Sequence, residues 1–177
     1  NNKIGCVFGL TPVYPFNSNP INVMNAFKEN EHEFYQIDAM CNGKFPSYKL
    51  HEYKEQGINL MITEEDKNSF AEGKIDFIGL NYYSSSVAHH EDDEGDEKTL
   101  FGGVQNTYLE KSKWGWSIDP IGLRYILNYV YRRYGLPIII TENGLGAVDE
   151  IDENGNIDDI YRIEFLQKHI EQIKKAV

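Results

Sequence analysis

Several residue classes are scarce in this sequence, and each scarcity excludes something. Among 177 residues there are 2 cysteines, Cys6 and Cys41. They make neither a disulfide framework nor a metal-ligand spacing, so a reduced compartment is the simpler expectation. No apolar run approaches the roughly 20 residues that a membrane-spanning helix needs, and no membrane partner is expected. Positive charge is short: 17 Lys plus Arg stand against 28 Asp plus Glu, a formal charge of -11. A phosphate backbone would be repelled, which argues against nucleic acid as a partner. There is no phosphate-cradling Gly-rich loop, no His-Glu-x-x-His and no Gly-x-Ser-x-Gly, so no cofactor and no metal are expected. The chain opens on Asn1-Asn2-Lys3 without Met or a targeting segment, and stops at Val177 inside a helical pattern. Both ends are expected to be cut. What is plentiful is core material: 41% hydrophobic and 13% aromatic residues, with 12 Tyr, which argues against wholesale disorder.

The order of segments alternates. Lys3–Leu10 is a short apolar run that suits a buried strand. Thr11–Pro20 holds three prolines and reads as loop. Ile21–Met40 has helical spacing, with Val23, Ala26, Phe27, Phe34 and Ile37 as its apolar members and Asn42-Gly43 as a stop. Tyr48–Gln56 reads as a short helix ended by Gly57, Ile58–Ile62 as a minor strand, and Glu64–Glu72 as a polar helix ended by Gly73. Lys74–Tyr83 is a β-type run. Ser84–Ser117 has little periodicity and exceeds the roughly 15 residues beyond which loops tend to be functional or disordered. Its acidic stretch His89–Glu97 reads as a solvated tip rather than a metal site.

Asp119-Pro120 predicts a helix start, because Asp can cap an orphan N–H and Pro gives up a donor that would be unpaired there anyway. Leu123, Ile126, Leu127, Val130, Tyr131 and Tyr134 follow at helical spacing up to Gly135. Ile138–Glu142 predicts a strand buried on both faces, as in a parallel sheet. A last helix would bury Ile160, Ile163, Leu166, Ile170, Ile173 and Val177 on one face, with Asp158 and Asp159 at its positive end. The alternation predicts an α/β fold with a parallel sheet. Glu150–Tyr161 imitates a calcium-binding loop, but Glu at position one and Tyr161 at position twelve do not fit, and Asn154-Gly155 reads as a tight hairpin turn.

Glu142 is the residue that needs explaining. It stands at the C-terminal end of an apolar strand, on the sheet edge where α/β folds bind ligands. A carboxylate beside apolar walls must be paired, hydrogen-bonded or functional, and position alone leaves a turn-bracing role equally open. A second strand ends in Asn81, Tyr82 and Tyr83 on the same edge. Asn81 and Tyr83 point the same way and Tyr82 the other, so a Tyr83 hydroxyl could hold Glu142 and favour its ionised form. Trp114 and Trp116 close the long loop. One is expected to offer its face to a sugar ring and the other to clamp the loop.

These motifs resemble glycoside hydrolase family 1 over nearly the whole chain. Ile138-Ile-Ile-Thr-Glu-Asn-Gly144 is similar to that family's nucleophile motif and Phe77-Ile-Gly-Leu-Asn-Tyr-Tyr83 to its sixth-strand motif. Gly115-Trp116-Ser-Ile-Asp-Pro-Ile-Gly-Leu123 resembles the segment leading into the helix before the nucleophile strand. Tyr14-Pro15 with Phe45-Pro46 fits the region after the fifth strand. Glu142–Ala147 and Lys113–Trp116 look most like the 6-phospho-β-glucosidase branch. The resemblance implies a partial (β/α)8 TIM barrel, strands 5 to 7 with their helices, with residues 1–177 forming part of one domain. At about 59 residues per strand unit, eight would need roughly 470, an acceptable size for such a barrel.

The implied chemistry is retaining hydrolysis of a small β-glucoside, 6-phosphorylated in that branch. Glu142 would be the nucleophile, Tyr83 would orient it, Asn81 would lie close to the acid/base and the sugar, and Trp116, with Trp114, would bind substrate. The family's acid/base Glu sits roughly 5–5.5 Å from the nucleophile in a Thr-x-Asn-Glu-Pro motif that this sequence lacks, and the phosphate-binding loop would follow the eighth strand. The expectation is a cytoplasmic enzyme whose 177-residue section is inactive alone and self-associates through open barrel edges. A non-catalytic carbohydrate-binding or interaction module, and a section of an ordinary non-phospho β-glucosidase, are the alternatives.

Overall fold

Local signals place most of the helices. The structure, a computed structural model, describes residues 2–90, 98–100 and 102–176. Helix α1 (Pro20–Asn42) starts where the Asn19 side chain accepts a hydrogen bond from the Ile21 N–H and ends at Gly43, whose φ of 66° is the left-handed conformation a helix stop favours. Helix α2 spans Ser47–Glu55 and α3 Glu64–Glu72, the latter closed by a capping box between Thr63 and Asp66. Helix α4 (Pro120–Tyr134) begins on Asp119, which accepts from the Gly122 N–H, and stops at Gly135. Helix α5 covers Ile160–Ile173.

Three strands, β1 (Gly5–Gly9), β3 (Phe77–Tyr82) and β5 (Ile138–Asn143), form one parallel sheet in the order β1-β3-β5. A short parallel ladder of β2 (Val13–Tyr14) and β4 (Ser86–Val87) carries the chain beyond the C-terminal edge of that sheet. Among the described residues the sheet does not close: β3 is central and β1 and β5 are its edges. This is a partial (β/α)8 arrangement of consecutive parallel strands with helices on one face.

The core lies between β3 and α4. Ile78, Leu80 and Tyr82 are fully buried under Leu123, Ile126 and Val130, joined by Phe8, Phe34 and Ile37. The concave face is tightly apposed near its base. A Cβ at Gly5 would fall 2.4 Å from the Phe77 ring, and one at Gly79 would fall 2.7 Å from the Val7 side chain. Between α1 and α4, Arg133 donates to Glu31 (2.6 Å) and to both oxygens of Asp38 (2.6 and 2.9 Å), while the hydroxyls of Tyr48 and Tyr134 also donate to Asp38. Burial alone would raise the Asp38 carboxyl, but the bonds from Arg133, Tyr48 and Tyr134 outweigh it and hold it below its ordinary range.

Several expectations are corrected. Ile58–Ile62 forms no strand, and Met61 is exposed. In α1, Ala26, Phe34 and Ile37 are buried, but Val23 and Phe27 are exposed. Strand β5 is not buried on both faces: Ile139 is 50% exposed, because among the described residues nothing covers the concave face of this edge strand. In α5 the buried residues are Phe165 and His169 against α4 and Tyr82, whereas Ile160, Ile163, Leu166 and Ile170 are exposed. That isoleucine face has no element packed on it among the described residues, and Val177 lies outside them. The described residues of the long loop include antiparallel bridges at Val87–Val104 and Lys111–Ser117. Glu91–Glu97 of the acidic stretch lies outside the described residues. Asn154-Gly155 does turn a hairpin, with Ile151 bridging Ile157 and the Asp152 carboxylate accepting from the Asn154 and Asn156 N–H groups.

His169 supplies a pH handle. Its Nδ1 lies 2.7 Å from the Phe165 carbonyl, which requires the proton on Nδ1, and its Nε2 is buried without a hydrogen-bond partner. Burial lowers its pKa below the ordinary histidine value. Between the folded and unfolded pKa values the unfolded chain binds a proton that the folded one does not, so stability falls as pH drops below about 6.5. Urea unfolding at pH 7 and pH 5 is expected to show a loss that His169→Leu reduces. An equal loss in both proteins would assign the acid sensitivity to another group.

Candidate active site

At the C-terminal edge of the sheet the period-two rule is broken once. The β3–β5 register runs Leu80↔Ile140 and then Asn81↔Glu142, so Thr141 is an extra residue in β5, a bulge. Strict alternation from Ile138 and Ile140 would turn Glu142 toward the helices. The bulge instead leaves Thr141 and Glu142 both on the exposed side, with Asn143 turned inward. The hydroxyl of Thr141 donates to Asn81 Oδ1 at 2.6 Å, which ties the extra residue to the neighbouring strand.

Glu142 is exposed in this chain and pairs in register with Asn81. Two residues further along, the Tyr83 hydroxyl donates to Glu142 Oε2 at 2.5 Å. That bond, more than the modest burial of the ring, raises the Tyr83 pKa above an ordinary phenol, since losing the phenol proton would put two negative oxygens together. Tyr82 points to the opposite side, fully buried, and its hydroxyl donates to the Asp119 carbonyl at 2.6 Å.

The tryptophans sit on a turn built by Ser112. Its hydroxyl oxygen accepts from the N–H groups of Trp114 and Trp116 (3.2 and 3.3 Å), and Gly115 takes a φ of 79° between them. Gln105 braces this turn by donating to the Gly115 carbonyl (2.7 Å) and accepting from Ser117 (2.9 Å). Trp116 is half-buried and meets the Tyr83 ring edge-on at 5.7 Å. Trp114 meets Trp116 at 5.8 Å. Trp114 is 58% exposed, yet its ring lies across Gly146, where a Cβ would come within 2.4 Å of it. Lys113 of the long loop adds an ion pair to Glu150 of the segment after β5, at 2.8 Å. Trp114 therefore pins the long loop to the segment after β5, and Trp116 stands beside the Tyr83–Glu142 pair.

The structure thus brings Glu142, Tyr83, Asn81, Trp116 and Trp114 to one edge. Sequence reasoning missed Thr141 and Asn143. The Asn143 side chain donates to the Tyr82 carbonyl at 2.9 Å and so braces the strand end that carries Tyr83. A polar pair flanking a strand-end carboxylate was the available signal. Among the described residues no group of three or more His, Cys, Asp or Glu is placed to hold a metal ion. His90, from the expected solvated tip, stacks on Phe16 at 3.7 Å, and the His89 N–H donates to Glu29.

A strand-end carboxylate held by a tyrosine, with two tryptophans nearby, thus stands at the C-terminal edge of consecutive parallel strands, part of a (β/α)8 barrel. Residues 1–177 match glycosyl hydrolase family 1. The chain is 42% identical over 180 residues to the aryl-phospho-β-D-glucosidase BglA of Bacillus subtilis, covering 99% of this chain and 38% of that protein. It is 43% identical over 168 residues to a 6-phospho-β-glucosidase of Dickeya chrysanthemi, covering 93% of this chain and 36% of that one. The solved family 1 β-glucosidase of Thermotoga maritima superposes with a TM-score of 0.81 at 28% identity, over 99% of this chain and 38% of that structure. The chain belongs to glycosyl hydrolase family 1. It spans about 38% of the length of relatives such as BglA.

The packing of Trp114 over Gly146 can be read optically, because the sequence has 2 Trp. Gly146→Ala places a methyl group where the ring lies, so Trp114 must move outward. A red-shifted emission and stronger acrylamide quenching are expected. Unchanged fluorescence would mean that the two loops are not apposed as described.

Proposed function

We propose that this chain is a section of one (β/α)8 domain of a retaining β-glycosidase and carries its nucleophile. The observation that carries the reading is the Tyr83 hydroxyl on Glu142 at 2.5 Å, at the C-terminal edge of the sheet. In this reading Glu142 attacks the anomeric carbon as the glycosidic bond breaks, and forms a covalent glycosyl-enzyme. A second carboxylate, from outside these 177 residues, protonates the departing oxygen and later takes a proton from water, whose attack releases the sugar and restores Glu142. Tyr83 holds one carboxylate oxygen so that the other faces the sugar. Asn81 lies beside the sugar and the acid/base, and Trp116 lines the leaving-group side, where an apolar ring face suits a glucoside.

The substrate in this reading is a 6-phosphorylated β-glucoside. Support comes from relatives that are 42% and 43% identical and bear phospho-glucosidase names, against 28% for the solved β-glucosidase. The phosphate-binding groups would come from chain outside the sequence. Two free thiols, Cys6 and Cys41, suit a cytoplasmic place. Among the described residues no helix is long and apolar enough to cross a membrane.

The open faces are part of the same reading. Val7 and Ile139 on the concave face and Ile163 and Ile170 on α5 are each about half exposed (49–51%). The remaining strands and helices of the barrel would cover them, so the 177 residues alone should lack turnover and self-associate.

In the intact protein, Glu142→Gln is expected to reduce hydrolysis of an aryl β-glucoside 6-phosphate by more than about a thousandfold. Near-equal rates would remove Glu142 from the role of nucleophile. The same assay with the unphosphorylated glucoside should give a much lower kcat/KM, and the reverse preference would point to an ordinary β-glucosidase. For the 177-residue chain, sedimentation should show mass rising with concentration. A stable monomer with saturable sugar binding would favour a binding module instead.

A further inference from the structure

Tyr83 and Trp116 come from distant segments, yet the residues that follow Trp116 are bonded to the neighbours of Tyr83, in part through one buried carboxylate. Asp119 is 3% exposed. Its Oδ1 accepts from the Gly122 N–H at 2.8 Å, the ordinary bond of a helix cap. Its Oδ2 does something a cap does not require: it accepts from the Tyr14 hydroxyl at 2.8 Å and from the Ser85 hydroxyl at 2.6 Å. Its carbonyl accepts from the Tyr82 hydroxyl, and the Ser84 hydroxyl donates to the Ser117 carbonyl at 3.0 Å.

Residues 82, 84 and 85 are therefore all stitched to residues 117–119, and Tyr83 is the member of that run whose side chain leaves on the other side, toward Glu142. Trp116 is the residue immediately before the stitched stretch. The approach is close: a Cβ at position 122 would fall 2.4 Å from the Tyr82 hydroxyl and 2.5 Å from Asp119 Oδ2, so only glycine lets the start of α4 sit against this cluster.

We propose that Asp119 is a positioning residue for the glycosidase site: through Ser85, Tyr82 and Tyr14 it sets where the Tyr83 hydroxyl meets Glu142, and through residues 117–118 it sets Trp116 against Tyr83. The inference rests on the reading of Glu142 given above, and it concerns a residue that touches neither Glu142 nor the sugar. A buried carboxylate accepting two hydroxyls on one oxygen holds them with charge-assisted bonds, stronger and more directional than a neutral acceptor would offer. Tyr14 belongs to β2 and Ser85 adjoins β4, so the same oxygen also fixes the short ladder above the sheet.

The test separates positioning from capping. Asp119→Asn keeps a good helix cap but replaces one carboxylate oxygen by an NH2 donor. Tyr14→Phe combined with Ser85→Ala leaves Asp119 in place and removes both hydroxyl donors. The intact protein is labelled at tyrosine Cζ, whose 13C shift reports the phenol hydrogen bond. The Tyr83 resonance is assigned by its loss in Tyr83→Phe, and Glu142→Gln marks its position without the carboxylate. Both Asp119→Asn and the double variant are expected to move the Tyr83 resonance toward the Glu142→Gln position. Val130→Ala, a core truncation in the same helix, should lower the melting temperature and leave the resonance in place. If the two hydroxyl-site variants lower the melting temperature while the Tyr83 resonance stays put, Asp119 only caps and stabilises. If Val130→Ala moves the resonance as far, the effect is general loosening, and the proposal fails too. Hydrolysis by Glu142→Gln judges the nucleophile separately, so the two failures are distinguishable.

Discussion

Tyr82 and Tyr83 are consecutive in a strand, and a strand sends consecutive side chains to opposite faces. In this protein that constraint joins the core to the site. Tyr82 is driven into the helix-covered side with Ile78 and Leu80, where its hydroxyl must find an acceptor because a buried polar group without one costs roughly 1–3 kcal/mol. The Asp119 carbonyl meets that need. Once Tyr82 is anchored, Tyr83 has no freedom to turn inward and its hydroxyl emerges against Glu142. The apolar burial of one face thus sets the direction of the polar groups on the other.

The partner strand reaches the same place by a different device. Six residues of β5 carry an extra one, Thr141, and without that bulge Glu142 would face the helices beside Ile138 and Ile140. A carboxylate there would have no place among buried aliphatic groups. Thr141 binds Asn81 across the ladder and Asn143 binds the Tyr82 carbonyl, so the irregular strand end is held on both sides of Glu142. Strand-end irregularities next to sites are common because they re-aim one side chain at the cost of one ladder bond. The formal charge of -11 is handled locally. Arg133 gathers Glu31 and Asp38 between two helices, and Lys113 and Arg162 each bind a carboxylate of the segment after β5.

Much of this was legible in the chain. Asp119-Pro120, Asn42-Gly43 and Asn154-Gly155 behave as their chemistry predicts, since caps and turns depend on dihedral preferences and on bonds within a few residues. The pointing of Asn81 and Tyr83 away from Tyr82 follows from pleat parity. What misled was burial. Ile139, Val23 and Ile160, Ile163 and Ile170 of α5 are apolar and regularly spaced, yet they stand exposed, because a pattern states what a face prefers and says nothing about whether another element covers it. Ile58–Ile62 forms no strand although β1 and β5 are sheet edges among the described residues, so an apolar run does not by itself make one. The Trp114–Trp116 turn of the long loop was unreadable because single side chains, Ser112 and Gln105, bonded to backbone groups, hold it.

By itself the sequence determined the succession of the three sheet strands and five helices of the described residues, most of their stops, the carboxylate worth explaining and the family resemblance, all of which depend on neighbours within a few residues or on the motifs themselves. Tertiary structure alone decided that Glu142 would face outward rather than inward, through a bulge that no local preference demands. It also decided that Trp114 would lie on Gly146 while Trp116 stands by Tyr83, and that a helix-capping aspartate would bind two hydroxyls from other segments. Those outcomes depend on distances between residues tens of positions apart, which packing of the β3–α4 core sets and which composition and periodicity do not contain.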